Sequence, residues 1–271
     1  MVHELAYHDA FAALDFQISM GADEATVDAP VDRFALSKTL MAEAQAKKEA
    51  AALPTARGAP AVAPPPKADP IGDARMMAGA AESLEALEQA LASFPHCELK
   101  QGARSLVFSD GNPKARLMII GEAPGRDEDI QGRPFVGRAG QLLDRMLAAI
   151  DLARDGSEAD SAVYITNILP WRPPQNRDPR PEEIDMLKPF VQRHVELVAP
   201  EALVLMGNIS CQAMLGRRGI TRIRGNWVEA LGRPALPMFH PAYLLRNPGA
   251  KREAWADLLS LKARLRGDAA P

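Results

Sequence analysis

Four side chains of this sequence have the types and settings that chemistry needs: Glu122, Phe135, Asn167 and His240. Residues 117–125 read LMIIGEAPG, an apolar run that breaks into a Gly/Pro turn carrying a carboxylate. Far downstream, residues 239–246 read FHPAYLLR, where a second apolar run breaks into a turn carrying a histidine and an arginine. Between them, QGRPFVG puts a lone aromatic in a Gly/Pro-rich loop, and VYITN is a β-branched run that ends in an amide. The set supplies an acid/base group, a stacking face, a reader of a base edge and a hydrogen-bond donor. Those are the parts needed to hold an extruded nucleobase and break its glycosidic bond.

Each residue fits a distinct share of that task. His240 would donate to a ring carbonyl of the base, where charge builds as the glycosidic bond stretches; otherwise it caps a turn. The Asn167 amide both donates and accepts, as a base edge with a carbonyl beside a ring N–H requires, whereas a base with the reverse pattern would leave buried groups unpaired. Its competing role is to close a strand into a turn. Phe135 follows Pro134 in a loop with few core neighbours, so it offers a face for a base, with a core plug as the alternative. Glu122 would position a water or stabilise positive charge on the sugar. Backbone N–H groups of residues 121–125, including Gly121 and Ala123, would contact the base or an anion.

These residues need a frame. Apolar runs at 116–120, 163–167, 202–206 and 236–239 alternate with helical patterns at 139–150, 181–198, 209–215 and 251–265. That alternation predicts an α/β domain with a parallel sheet covered on both faces. In such a sheet the site lies at the carboxyl ends of the strands, and all four candidates fall there. The spacing of Leu84, Leu87, Leu91 and Phe94 predicts an amphipathic helix packed on this domain.

Residues 1–50 are expected to form an acidic, partly helical extension and 51–70 an Ala/Pro-rich linker, which leaves 71–271 for the catalytic domain. The extension would serve as a solubilising tail or dock an unknown protein partner. The net charge of −3 hides an asymmetry: residues 1–94 carry 7 Lys+Arg against 14 Asp+Glu, while 95–271 carry 25 against 21. The basic excess accompanies the motifs and is mostly arginine, whose planar fork suits phosphates. Arg222, Arg224 and Arg246 are the predicted DNA grips, and Tyr243, Leu244 and Leu245 the predicted wedge into the stack, although the leucines would equally start the apolar face of the last helix. No apolar run approaches the ~20 residues of a membrane helix, and no basic secretory n-region is present, so a cytoplasmic protein is expected. Two cysteines imply no disulfide framework. The scattered His and Cys imply no zinc site, and no organic cofactor is called for.

The motifs GEAPGRDED, GRPFVGRAGQLLD, VYITN, RPPQNRDPRPEE, ITRIRG and HPAYLLRNP, collinear over roughly residues 106–265, resemble the family 4 type of the uracil-DNA glycosylase superfamily. The resemblance implies a three-layer α/β/α fold with a central four-stranded parallel sheet, and removal of uracil from single- or double-stranded DNA by a monomer. It implies that His240 acts as the oxyanion donor and Glu122 as the catalytic carboxylate; the superfamily's best-known branch instead carries an aspartate where this chain has Ala123. It also implies that Glu128 excludes the thymine methyl, with a surface acid as the alternative. Two further readings are a glycosylase of broader specificity, taking hypoxanthine or a modified pyrimidine, and a lesion-binding protein without catalysis.

Two departures from the family pattern matter. Family 4 enzymes hold an iron-sulfur cluster on four cysteines, but the matching positions here are Phe94, Cys97, Trp171 and Leu187, so no cluster and no other metal is expected. A related branch traps uracil DNA covalently through a histidine in a KRRIH insertion, which this chain lacks after Asn167. Turnover is therefore expected.

Overall fold

The computed structural model describes residues 69–267. The expectations for the 1–50 extension and for most of the 51–70 linker lie outside the described residues. The chain enters through α1 (Pro70–Ala80) and α2 (Leu84–Ser93), whose first turns are capped by Asp69, accepting from Gly72 N at 2.9 Å, and Ser83, accepting from Ala86 N at 3.2 Å. A short α3 (Leu99–Gly102) follows. Then come β1 (Asp110–Gly111), β2 (Leu117–Gly121), α4 (Arg126–Gln131), α5 (Arg138–Ala148), β3 (Val163–Asn167) and α6 (Pro181–Val198). The second half holds β4 (Ala202–Met206), α7 (Gly207–Leu215), α8 (Ile220–Ile223), β5 (Val228–Ala230), β6 (Arg233–Met238), α9 (Pro241–Arg246) and α10 (Lys251–Leu265).

The sheet has six strands in the order β1-β3-β2-β4-β6-β5. Its four central strands are parallel, as the alternating pattern predicts. The count of four is corrected by two edge strands, β1 antiparallel to β3 and β5 antiparallel to β6. They span two and three residues, too few for an apolar period to show in a sequence. β2, β3 and β4 are buried along their whole length. β2 and β4 are therefore unbroken apolar runs, and β3 is one but for its tyrosine and its Thr-Asn end, since helices cover both faces.

The register sets Gly121 beside Asn167 and Met206 beside Met238, so the strand ends are level. From β2 the chain goes to β3 on one side, and from β4 to β6 on the other. Loops leaving these two neighbours diverge and open a crevice at their carboxyl ends. Among the described residues no helix is long and apolar enough to cross a membrane.

Candidate active site

β2 delivers the first catalytic candidate. Its last residue, Gly121, has no room for a side chain: a Cβ there would stand 2.2 Å from Asn167 Oδ1 and 2.5 Å from Phe135 Cε2. The asparagine amide and the aromatic ring therefore converge over this glycine, and Glu122 follows it directly. The Glu122 side chain is half-buried and makes no hydrogen bond within the described residues. Burial, reinforced by the charge of Asp178 and opposed by Arg218, pushes its carboxyl up to about 7.

The loop that presents Phe135 is bolted to the turn after β2 by Glu128. One carboxylate oxygen accepts from Val136 N and Gly137 N, both at 2.9 Å, and the other from Gly125 N at 3.1 Å. Glu128 is thus a brace between two loops, and it also borders the cleft. Phe135 itself is held at φ 53°, a conformation seldom adopted by a bulky residue and a frequent mark of a constrained functional loop.

His240 leaves β6 and caps α9, its Nδ1 accepting from Ala242 N at 3.2 Å. That bond fixes the tautomer, because an accepting Nδ1 carries no proton and the neutral ring's hydrogen sits on Nε2. Burial, with the charge of Arg246 beside it, holds the imidazole down at about 4, so the ring is neutral at ordinary pH. Its plane lies 28° from that of Phe135, with centroids 5.4 Å apart. The Asn167 carboxamide is buried and makes no hydrogen bond within the described residues, which leaves its donor and its acceptor free for a ligand.

These groups share one cleft of about 600 Å³. Of the sequence-predicted residues, Glu122, Ala123, Glu128, Phe135, Asn167, His240, Tyr243 and Arg246 line it, while Gly121 is buried behind Asn167 and Phe135. Sequence reasoning missed Asn176, Arg177, Asp178, Asn208 and Arg218, which also line it. The signal for three of them was in plain view: 176–178 lie in the RPPQNRDPRPEE motif a few residues past Asn167.

Two predicted DNA contacts, Arg224 and Leu244, need correction. Arg224 is not a free phosphate grip: its guanidinium grips Asp257 with two nitrogens, Nε at 2.7 Å from Oδ2, and also donates to the Glu253 carbonyl. Asp257 is 1% exposed, and a buried carboxylate demands such a partner. Leu244 is 1% exposed and belongs to the core, because the phase of α9 turns it inward. Leu245 is half-buried against the same core. Tyr243 stacks on Phe239 at 4.8 Å, and Arg222 is exposed outside the cleft lining. Arg224→Ala should cost about 3–5 kcal/mol of stability by stranding Asp257. Urea unfolding would measure that, alongside a salt dependence of DNA binding that stays as in the wild type.

At the positions where the family pattern sets cluster cysteines, the residues do not fit a metal. Phe94, Trp171 and Leu187 have no donor sulfur and are buried in the main core, where Phe94 meets Phe190 edge-on at 5.2 Å. The Cys97 thiol is buried too, and burial raises its pKa away from the thiolate that iron requires. Among the described residues no group of three or more His, Cys, Asp or Glu is placed to hold an ion.

The family model described as the uracil DNA glycosylase superfamily matches residues 108–259. A type-4 uracil-DNA glycosylase of Archaeoglobus fulgidus is 38% identical over 185 residues, which cover 65% of this chain and 90% of that protein. Those of Sulfurisphaera tokodaii and Thermotoga maritima are each 37% identical, over 63% and 61% of this chain and 80% and 85% of their own lengths. On this match, and on a site built at the strand ends from the motifs that carry it, the chain belongs to the uracil-DNA glycosylase superfamily.

Proposed function

We propose that this protein is a monofunctional uracil-DNA glycosylase that hydrolyses the bond between uracil N1 and deoxyribose C1′, leaving an abasic site for base-excision repair. The observation that carries this reading is the convergence of Glu122, Phe135, Asn167 and His240 on one cleft. The identity of the type-4 relatives over most of their length supports it.

The Phe135 and His240 rings are 5.4 Å apart, and two stacked contacts need about 7 Å, so no base fits between them. An extruded uracil would lie on the part of the Phe135 ring that faces the cleft and meet His240 at its edge. There the free amide of Asn167 pairs with O4 and N3–H, and His240 Nε2–H donates to O2. As the C1′–N1 bond breaks, its electron pair goes to the uracil ring, and a neutral donor at O2 stabilises the anion without giving up its proton. The Glu122 carboxylate orients the water that adds to C1′, or balances the positive charge developing on the sugar. Glu128 and Ala123 form the wall on which exclusion of a thymine methyl would depend. Arg222 and Arg246, with Arg218 at the cleft, would hold phosphates.

A uracil-containing oligonucleotide, treated with alkali after incubation, tests the reading: strand cleavage supports it, and a mobility shift without cleavage points to a lesion binder. Oligonucleotides with hypoxanthine or thymine distinguish a broader enzyme. Both assigned functions of Glu122 need its anion, which forms only above about pH 7. kcat/KM should therefore rise as the pH passes through about 7, and Glu122→Gln should flatten that rise.

We also read the enzyme as a cytoplasmic monomer that works without iron, the latter because apolar side chains take three of the four cluster positions. The purified protein should be colourless. Iron at one cluster per chain, with visible absorbance from sulfur-to-iron charge transfer, would refute this.

A further inference from the structure

We propose that Arg154, which does not line the cleft, is a positioning residue that sets the uracil-stacking ring of Phe135. The inference rests on the proposed glycosylase reading and adds a residue to it. Arg154 sits in the connection between α5 and β3, with Ala153 seated on Ser161 O at 2.8 Å and on Val163 N at 3.1 Å. Its side chain is 15% exposed.

A guanidinium has five N–H donors in a fixed fork, and here all five are used. Nη1 donates to the Pro134 carbonyl at 3.0 Å and to Asp110 Oδ2 at 2.8 Å. Nη2 donates to the Phe135 carbonyl at 2.8 Å and to Asp144 Oδ1 at 2.8 Å, and Nε to the same Asp144 oxygen at 2.9 Å. The two carboxylates aim the fork, and the fork grips two successive carbonyls at the point where the chain takes the left-handed turn, φ 53°, that throws the Phe135 ring over Gly121. From the other side α5 presses on the same carbonyl: a Cβ on Gly140 would stand 1.7 Å from Phe135 O. Edge strand β1 gains a purpose in this arrangement, since it carries Asp110. A lysine keeps the charge but has one head, and cannot hold both carbonyls and both carboxylates in this geometry.

A double-mutant cycle tests the assignment, with kcat/KM measured on a single-stranded uracil oligonucleotide. Phe135→Ala should lose on the order of ten- to a hundredfold, the range of a lost stacking contact. Arg154→Lys should lose a similar factor, and the double variant should be no worse than Phe135→Ala alone, because both remove the same function. Losses that multiply, or an Arg154→Lys enzyme with wild-type kcat/KM, would overturn the proposal. If Arg154→Lys folds poorly, Asp144→Ala, which leaves the Asp110 pair in place, should show a smaller loss that again vanishes in the Phe135→Ala background. Amide hydrogen exchange at Val136 and Gly137 needs no activity: it should quicken in Arg154→Lys, and unchanged exchange refutes the proposal even if wild type cleaves no uracil. Absence of wild-type cleavage would by contrast sink the glycosylase reading.

Discussion

Asn167→Ala is expected to lower kcat/KM on uracil DNA by on the order of a thousandfold, with little change in stability. Two polar groups of the base, O4 and N3–H, would enter a buried site and find no partner, at about 1–3 kcal/mol each. Sites built to pair with a polar group reject its absence by similar factors. The folded protein barely notices, because the carboxamide makes no hydrogen bond within the described residues. The variant should also lose its discrimination between uracil and cytosine, since the amide is the group that distinguishes their edges. Steady-state kinetics on paired oligonucleotides, with a melting curve for each protein, checks both halves. Activity within tenfold of wild type would remove Asn167 from the site.

His240→Ala should cost about 100- to 1000-fold in kcat and little in KM. The Nε2–H bond to O2 strengthens only as charge develops, and loss of one such donor is worth roughly 2.7–4 kcal/mol. Because the same ring caps α9 through Nδ1, the alanine variant should also lose about 1 kcal/mol of stability. His240→Asn, which can keep the cap, separates the two effects.

The sign of the pH dependence follows from the depressed pKa. The imidazole is neutral above about 4, so the ratio of wild-type to His240→Ala rates should be flat from pH 5 to 9. A ratio that falls steadily as the pH rises past 6 would mean that imidazolium is the working form.

The central strands were legible because burial on both faces leaves an unmistakable record: LMIIG and ALVLM contain no charged residue. The site candidates were legible for a related reason, since Glu122, Asn167 and His240 each stand where such a run gives way to a turn, and Phe135 is the lone aromatic of a Gly/Pro-rich loop. Edge strands were not, because two residues cannot display a period. Nor was the inward turn of Leu244, as residues 243–245 are all apolar and only the helix phase decides which one is swallowed.

Arg224 was misread because its partner lies 33 residues further on. A hint was present. Asp257 interrupts the buried stripe of Ala254, Leu258 and Leu261 on α10, and a carboxylate at an apolar position asks for a cation. The cleft arginine 218, which lies in none of the motifs, gave no such hint, since an arginine in a loop looks the same whether it faces a cavity or open solvent. Arg154 was likewise invisible, because its importance lies in two carbonyls and carbonyls have no sequence.

The hydrocarbon that fills the family's cluster positions has a consequence for when and where such a molecule can work. Phe94, Trp171 and Leu187 belong to the same buried core as the sheet, so on the iron-free reading proposed above the polypeptide would mature on its own, with no delivery system or sulfide donor. Both sulfhydryls are buried, and burial holds the Cys211 thiol up at about 12. On that reading peroxide would find neither a labile inorganic centre nor a ready thiolate, and genome maintenance by this route would continue through oxidative stress and metal starvation alike.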